Sequence, residues 1–91
     1  MKTNNPDKPV VDYVAPGMTK VTGKAEVGSE ISIKVFDPSS APMTTTYKAE
    51  DSVSSDGSFS VDIAPPSKGA LVWVTAEKNG LESVTQVKVG E

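Results

Sequence analysis

The sequence predicts an all-β fold, a sandwich of about seven antiparallel strands in two sheets. Three observations predict it. Apolar and polar residues alternate in short runs, as in "EISIKVF" (30–36), where Ile31, Ile33 and Val35 share one side and Ser32 and Lys34 the other. Turn residues separate these runs at close intervals. No window keeps apolar residues at helical spacing for more than a turn. A chain of 91 residues fits one domain. Residues 10–91 are assigned to it. Residues 1–9, "MKTNNPDKP", are polar with two prolines and read as a flexible linker or lead-in.

The strands follow in order. "VVDYVAP" (10–16) is a first strand, stopped at Ala15-Pro16-Gly17. "TKVTGKAE" (19–26) places Val21, Gly23 and Ala25 on one side, and Val27-Gly28-Ser29-Glu30 connects it to "EISIKVF". Asp37-Pro38 ends that strand, because proline cannot donate to the ladder and pushes its predecessor toward a turn. "MTTTYKAE" (43–50) is β-prone through its threonines and Tyr47, with Pro42 and Lys48 to blunt an edge. "SFSVDI" (58–63) turns Phe59, Val61 and Ile63 inward, before the loop at 64–69. "ALVWVTAE" (70–77) and "ESVTQVKV" (82–89) flank Lys78-Asn79-Gly80-Leu81.

Asn-Gly is a strong hairpin signal, since both central residues of its turn need φ > 0. A turn centred on Asn79-Gly80 sets Val74 opposite Thr85, Val72 opposite Val87 and Ala70 opposite Val89 on the core face. Thr75 then faces Val84, Trp73 faces Gln86 and Leu71 faces Lys88 on the other. Glu77 falls opposite Glu82, a like-charge pair expected to splay into solvent. The predicted inward set is Val21, Ala25, Ile31, Ile33, Val35, Tyr47, Phe59, Val61, Ile63, Val72, Val74, Ala76, Val87 and Val89.

Composition narrows the chemistry. The chain has no cysteine and no histidine. That removes disulfides, Cys-ligated metals, and both the commonest general base and the usual partner of a Ser nucleophile. A net charge of −3 argues against a nucleic-acid-binding face. No apolar run approaches the ~20 residues of a membrane span, so no membrane insertion is expected. "MKTNNPDKPV" lacks the apolar core of a signal peptide.

"VTGKAEVGSEISIKV", "SSDGSFSVDIAP" and "KGALVWVTAEKNGLESVTQVKV" together resemble the opening, central hairpin and closing motifs of bacterial immunoglobulin-like repeats. The resemblance spans roughly residues 10–89. It implies an immunoglobulin-like β-sandwich that occurs in tandem in secreted, wall-attached proteins, including internalin-like adhesins. It also implies an extracellular place at the bacterial cell surface or cell wall. Met1 without a leader then suggests an excised module rather than the start of an intracellular protein. Two stretches depart from the pattern: "AEDSVSSDG" is longer, and "EKNG" lacks the usual loop aspartate, so calcium ligands expected of relatives are missing.

Residue by residue, catalysis finds little support. Glu50, Asp51 and Asp56 do not match a calcium loop, and Asp56-Gly57 reads as a turn. Ser39, Ser40, Ser54 and Ser55 have no histidine to activate them. A Lys–Asn isopeptide crosslink needs an Asn on a strand, and Asn4, Asn5 and Asn79 lie in a tail or a turn. No catalytic residue, cofactor or metal is expected. Trp73, with Leu71 and Val84, forms a candidate contact surface on the outer face. Alternatives are a register slipped by one, or Tyr13 and the N-terminal segment folded over the ring. A sugar-stacking platform is a third.

The expected function is a non-catalytic spacer or stalk unit, with termini at opposite ends of the sandwich. Its partners would be neighbouring repeats, and the unit itself a monomer. The alternatives are a binding module for carbohydrate or a host protein, or an accessory domain of an extracellular glycan-active enzyme.

Overall fold

The alternating runs become strands. The computed structural model describes residues 4–91. Its seven strands are β1 (Val10–Val11), β2 (Lys20–Lys24), β3 (Glu30–Phe36), β4 (Thr44–Lys48), β5 (Ser58–Asp62), β6 (Leu71–Lys78) and β7 (Leu81–Lys88). They form two sheets, β1-β2-β5 and β4-β3-β6-β7, and every pairing is antiparallel. This is the sandwich that the resemblance implies. The molecule is elongated, with extents of 46 × 23 × 21 Å.

The β6–β7 hairpin has the register derived from its turn. Val72 pairs with Val87, Val74 with Thr85, Trp73 with Gln86 and Glu77 with Glu82. Asn79 and Gly80 take φ of 55° and 80°, the left-handed values that a tight two-residue hairpin demands.

The core lies between the sheets. Val21, Ile33, Val72, Val74, Ala76 and Val89 are fully buried, and Ile31, Val35, Phe59, Val61 and Ile63 nearly so. Of the predicted inward residues, Ala25, Tyr47 and Val87 are only half-buried, because they sit near the sandwich margins. Ala70, set on the core face by the hairpin register, is buried, and two further core residues were not expected inside: Val14 and Val53. Val53 belongs to the long loop before Asp56. It folds back, its amide donating to the Ser29 carbonyl at 2.8 Å, and closes one end of the core.

Gly23 shows why its position needs glycine. β1 crosses so closely that an added Cβ would collide with the Val10 carbonyl oxygen and sit 2.9 Å from Phe59 Cζ.

The first strand is shorter than expected. Its ladder to β2 is Val10 to Lys24 and Val11 to Gly23, extended by one bond from the Asp12 amide to the Thr22 carbonyl. By Val14 the chain has moved to the end of β7, where the Gly90 amide donates to the Val14 carbonyl at 2.8 Å.

The stretch expected to be a lead-in is also packed. Met1, Lys2 and Thr3 lie outside the described residues, but Asn5 to Pro9 run alongside β7. Asn5 Nδ2 donates to the Glu82 carbonyl at 2.7 Å, Ser83 Oγ to the Pro6 carbonyl and Thr85 Oγ1 to the Pro9 carbonyl. Pro6 and Pro9 are buried. Prolines have no N–H, so this segment cannot join the sheet by a regular ladder. Side-chain hydroxyls on the inner face of β7 take the place of ladder donors, a role that polarity and proline content in the sequence did not suggest.

Candidate contact surface

The outer face of the β4-β3-β6-β7 sheet is a grid of side chains. Successive rows across β3, β6 and β7 are Phe36–Leu71–Lys88, Lys34–Trp73–Gln86, Ser32–Thr75–Val84 and Glu30–Glu77–Glu82. The three residues singled out from sequence, Leu71, Trp73 and Val84, therefore share this face. Trp73 and Leu71 are half-buried, and Val84 is 42% exposed.

Trp73 is held on both sides. Its Nε1–H donates to Gln86 Oε1 at 3.0 Å, and Lys34 Nζ stands 5.8 Å from the ring centroid, within cation–π range. Tyr13 does not cover this face: it is 61% exposed and follows β1 of the other sheet. Gln86 was legible from the hairpin register. Lys34 and Phe36 were not, because they reach this surface through the β3–β6 pairing, which no local turn encodes.

The acidic end of the face is longer than expected. Glu30 lies opposite Glu77, and Glu77 opposite Glu82, so three like charges cross three adjacent strands. All three are exposed, which screens the repulsion.

Several of the remaining candidates make structural bonds. Asp56 accepts from Ser54 Oγ at 2.5 Å, from Ser58 Oγ at 2.7 Å and from the Ser58 amide at 3.0 Å. All three bonds fall on Oδ1, and together, the Ser54 hydroxyl foremost, they hold its carboxyl well below the usual range. Glu50 and Asp51 are exposed, and among the described residues no group of three or more His, Cys, Asp or Glu is placed to hold a metal ion. Ser39 contributes its backbone amide to Asp37 at 3.0 Å, and Ser40 donates to the Asp37 carbonyl. Asp37 itself is buried. Its other oxygen accepts from the Ser67 amide at 2.8 Å, fastening the loop after β5 to the β3–β4 connection. The Ser67 and Ser39 amides hold its carboxyl below the usual range.

A second fastening gathers the opposite end. Glu26 accepts from Lys78 Nζ at 3.0 Å and from the Asp7 amide at 3.1 Å, while Lys78 also donates to the Val27 carbonyl. The Lys78 bond, then that of Asp7, lowers the Glu26 pKa. Three segments that are remote in sequence thereby meet at the hairpin end.

The family comparison agrees with this architecture. A family model for the bacterial Ig domain matches residues 5–89. The chain belongs to the bacterial Ig domain family. The matched span includes the proline segment packed along β7 as well as all seven strands of the Ig domain. No curated protein matches the chain. Ig domains of this family are generally non-catalytic modules and typically occur in extracellular surface proteins.

Proposed function

We propose that this Ig domain is a spacer unit in the stalk of a secreted, wall-attached surface protein, in line with neighbouring repeats, and that it serves adhesion by holding a distal binding domain away from the cell. One observation carries the reading. The chain enters beside the Asn79-Gly80 hairpin, where Asn5 meets Glu82, and leaves at the other end of β7, where Gly90 meets Val14. The two points are separated by a strand of eight residues, about 25 Å at the rise of an extended chain. A unit whose ends lie apart adds length to a tandem array. Small-angle scattering of two and three copies joined in series tests this. The maximum dimension should grow with each copy by at least about the 25 Å that separates the two ends. Copies that fold back on one another, with little growth, would argue against a stalk.

The second reading is a binding module for carbohydrate or a host protein, with Leu71, Trp73 and Val84 as its surface. It is favoured by Trp73 standing on the outer face rather than in the core. Screening the isolated domain against glycans and host proteins, with Trp73→Ala as control, separates it from the spacer reading. An accessory role beside a glycan-active enzyme would be decided by the domains that accompany this one.

A further inference from the structure

We propose that the free edge of β4 is a self-association edge, on which β4 of a second copy pairs antiparallel, centred on Thr46. The sheet β4-β3-β6-β7 has two edges. At the β7 edge the Asn5 side chain caps the Glu82 carbonyl, and the segment through Pro9 is held by the inward hydroxyls of Ser83 and Thr85. Among the described residues, no strand pairs on the outer side of β4.

The register fixes which groups are free. Asp37 N–H donates to the Met43 carbonyl at one end of the β3–β4 ladder, and Ala49 N–H to the Ile31 carbonyl at the other. Hydrogen-bonded pairs alternate along an antiparallel ladder, so Thr45 and Tyr47 direct their backbone groups at β3. Thr44, Thr46 and Lys48 direct theirs outward, and none is proline. The outward row is a complete set of donors and acceptors.

The same row is self-complementary at one centre. With Thr46 opposite Thr46 of the second copy, Thr44 meets Lys48 and Thr45 meets Tyr47, and the whole strand pairs through about six backbone hydrogen bonds. No like charges are opposed, and Thr–Thr and Thr–aromatic neighbours are favourable. A centre at Lys48 would set lysine against lysine. A centre at Thr44 would bring in Pro42, which has no N–H to give.

A hollow beside the edge suits the inner side chains. Val35, Pro42, Met43, Thr45, Pro65 and Pro66 line it. Tyr47 points to this inner side, since its hydroxyl accepts from the Ala64 amide at 3.2 Å. In the pair, Tyr47 of the second copy lies over Thr45 at the hollow's rim. One short edge buries far less than the ~1,600 Å² of a standard interface. The pairing is therefore weak and belongs to copies held at high local concentration, such as neighbouring chains on one surface.

The absence of cysteine makes the test clean. Under mild oxidation Thr46→Cys should form a symmetric disulfide dimer several-fold faster than Lys24→Cys, an exposed site on the other sheet. A mixture of Thr44→Cys and Lys48→Cys should give the mixed dimer in preference to either homodimer. The unmodified chain should show concentration-dependent sedimentation, with slowed amide exchange at Thr44, Thr46 and Lys48. Thr46→Pro, tolerated where an edge N–H faces solvent, should abolish both while leaving the dilute thermal midpoint in place. Equal crosslinking at positions 46 and 24 would overturn the proposal. So would an unmodified chain that stays monomeric at millimolar concentration with no protection on β4, including one that captures an unrelated extended peptide there.

Discussion

Thr85 Oγ1 donates to the carbonyl of Pro9 at 2.6 Å, joining the segment that brings the chain in to the strand that takes it out. The two run in the same direction, because Asn5, Pro6 and Pro9 meet Glu82, Ser83 and Thr85 in that order. Tension applied through both ends of the domain would shear these bonds together rather than open them one at a time.

Thr85→Val tests this strap. Valine keeps the shape and removes the donor, so the Pro9 carbonyl loses its partner. A loss of about 1 kcal/mol is expected, which lowers the thermal midpoint by roughly 4–8 °C for a domain of this size. The added Ser83→Ala should increase the loss. Proteolysis within residues 4–9 should accelerate before the global transition. A midpoint unchanged by both substitutions would mean that the segment is held by its buried prolines alone.

The glutamate row gives a prediction of opposite sign. Glu77 stands between Glu30 and Glu82. Glu77→Lys converts two like-charge oppositions into two opposite-charge pairs, each contributing roughly 0.2–1 kcal/mol. Stability should rise, and the gain should shrink as salt screens it. Denaturant titrations at low and high ionic strength check both points. A loss of stability at low salt would show that the row is held by something other than solvent.

Acid should weaken the domain through three carboxyls. Glu26, Asp37 and Asp56 all have folded pKa values below their ordinary 4.5, 3.8 and 3.8. A depressed carboxyl contributes its stability above the unfolded value and loses it as pH falls through the folded one. The thermal midpoint should therefore be flat near neutrality, begin to drop as pH approaches about 4.5, and keep falling below the ordinary aspartate range. Asp37→Asn should lower the neutral-pH midpoint and flatten part of the acid slope. A midpoint that rises on acidification would contradict the assigned directions.

What the sequence revealed and what it hid have a common cause. Strands written by strict alternation, such as β3, and the hairpin fixed by Asn79-Gly80 were legible to the residue, because local geometry decides them. Trp73 was placed on the outer face by that turn alone. Lys34 beside it depended on a pairing between strands separated by β4 and β5, and no local signal carries such a register. Val53 and the Asn5–Pro9 segment were hidden for another reason. Both lie in polar, proline- or serine-rich stretches whose composition suggests solvent, yet each buries apolar side chains through hydrogen bonds to segments far away in sequence, Val53 to the turn before β3 and the Asn5–Pro9 segment to β7. Asp37 was seen as a strand terminator, while its role in fastening the loop at Ser67 needed the fold.

Trp73 decides between the spacer and binder readings. Its neighbours in β6, Val72 and Val74, are fully buried, whereas its own ring stands on the opposite face between Lys34 and Gln86. Trp73→Ala removes one hydrogen bond, one cation–π contact and part of an apolar surface. It leaves no closed cavity, so its cost should fall well below the ~3–5 kcal/mol of deleting a buried aromatic. Ile33→Ala, at a fully buried position, should cost about 2–5 kcal/mol and exceed it. Emission from this single tryptophan should be red-shifted and open to a neutral quencher. Removing Lys34 by Lys34→Ala should widen that access, because the ammonium no longer stands over the ring. A blue-shifted, protected emission with a large loss on Trp73→Ala would place the ring in the core. The binding reading would then lose its central residue, and the spacer would stand on the separation of the chain ends.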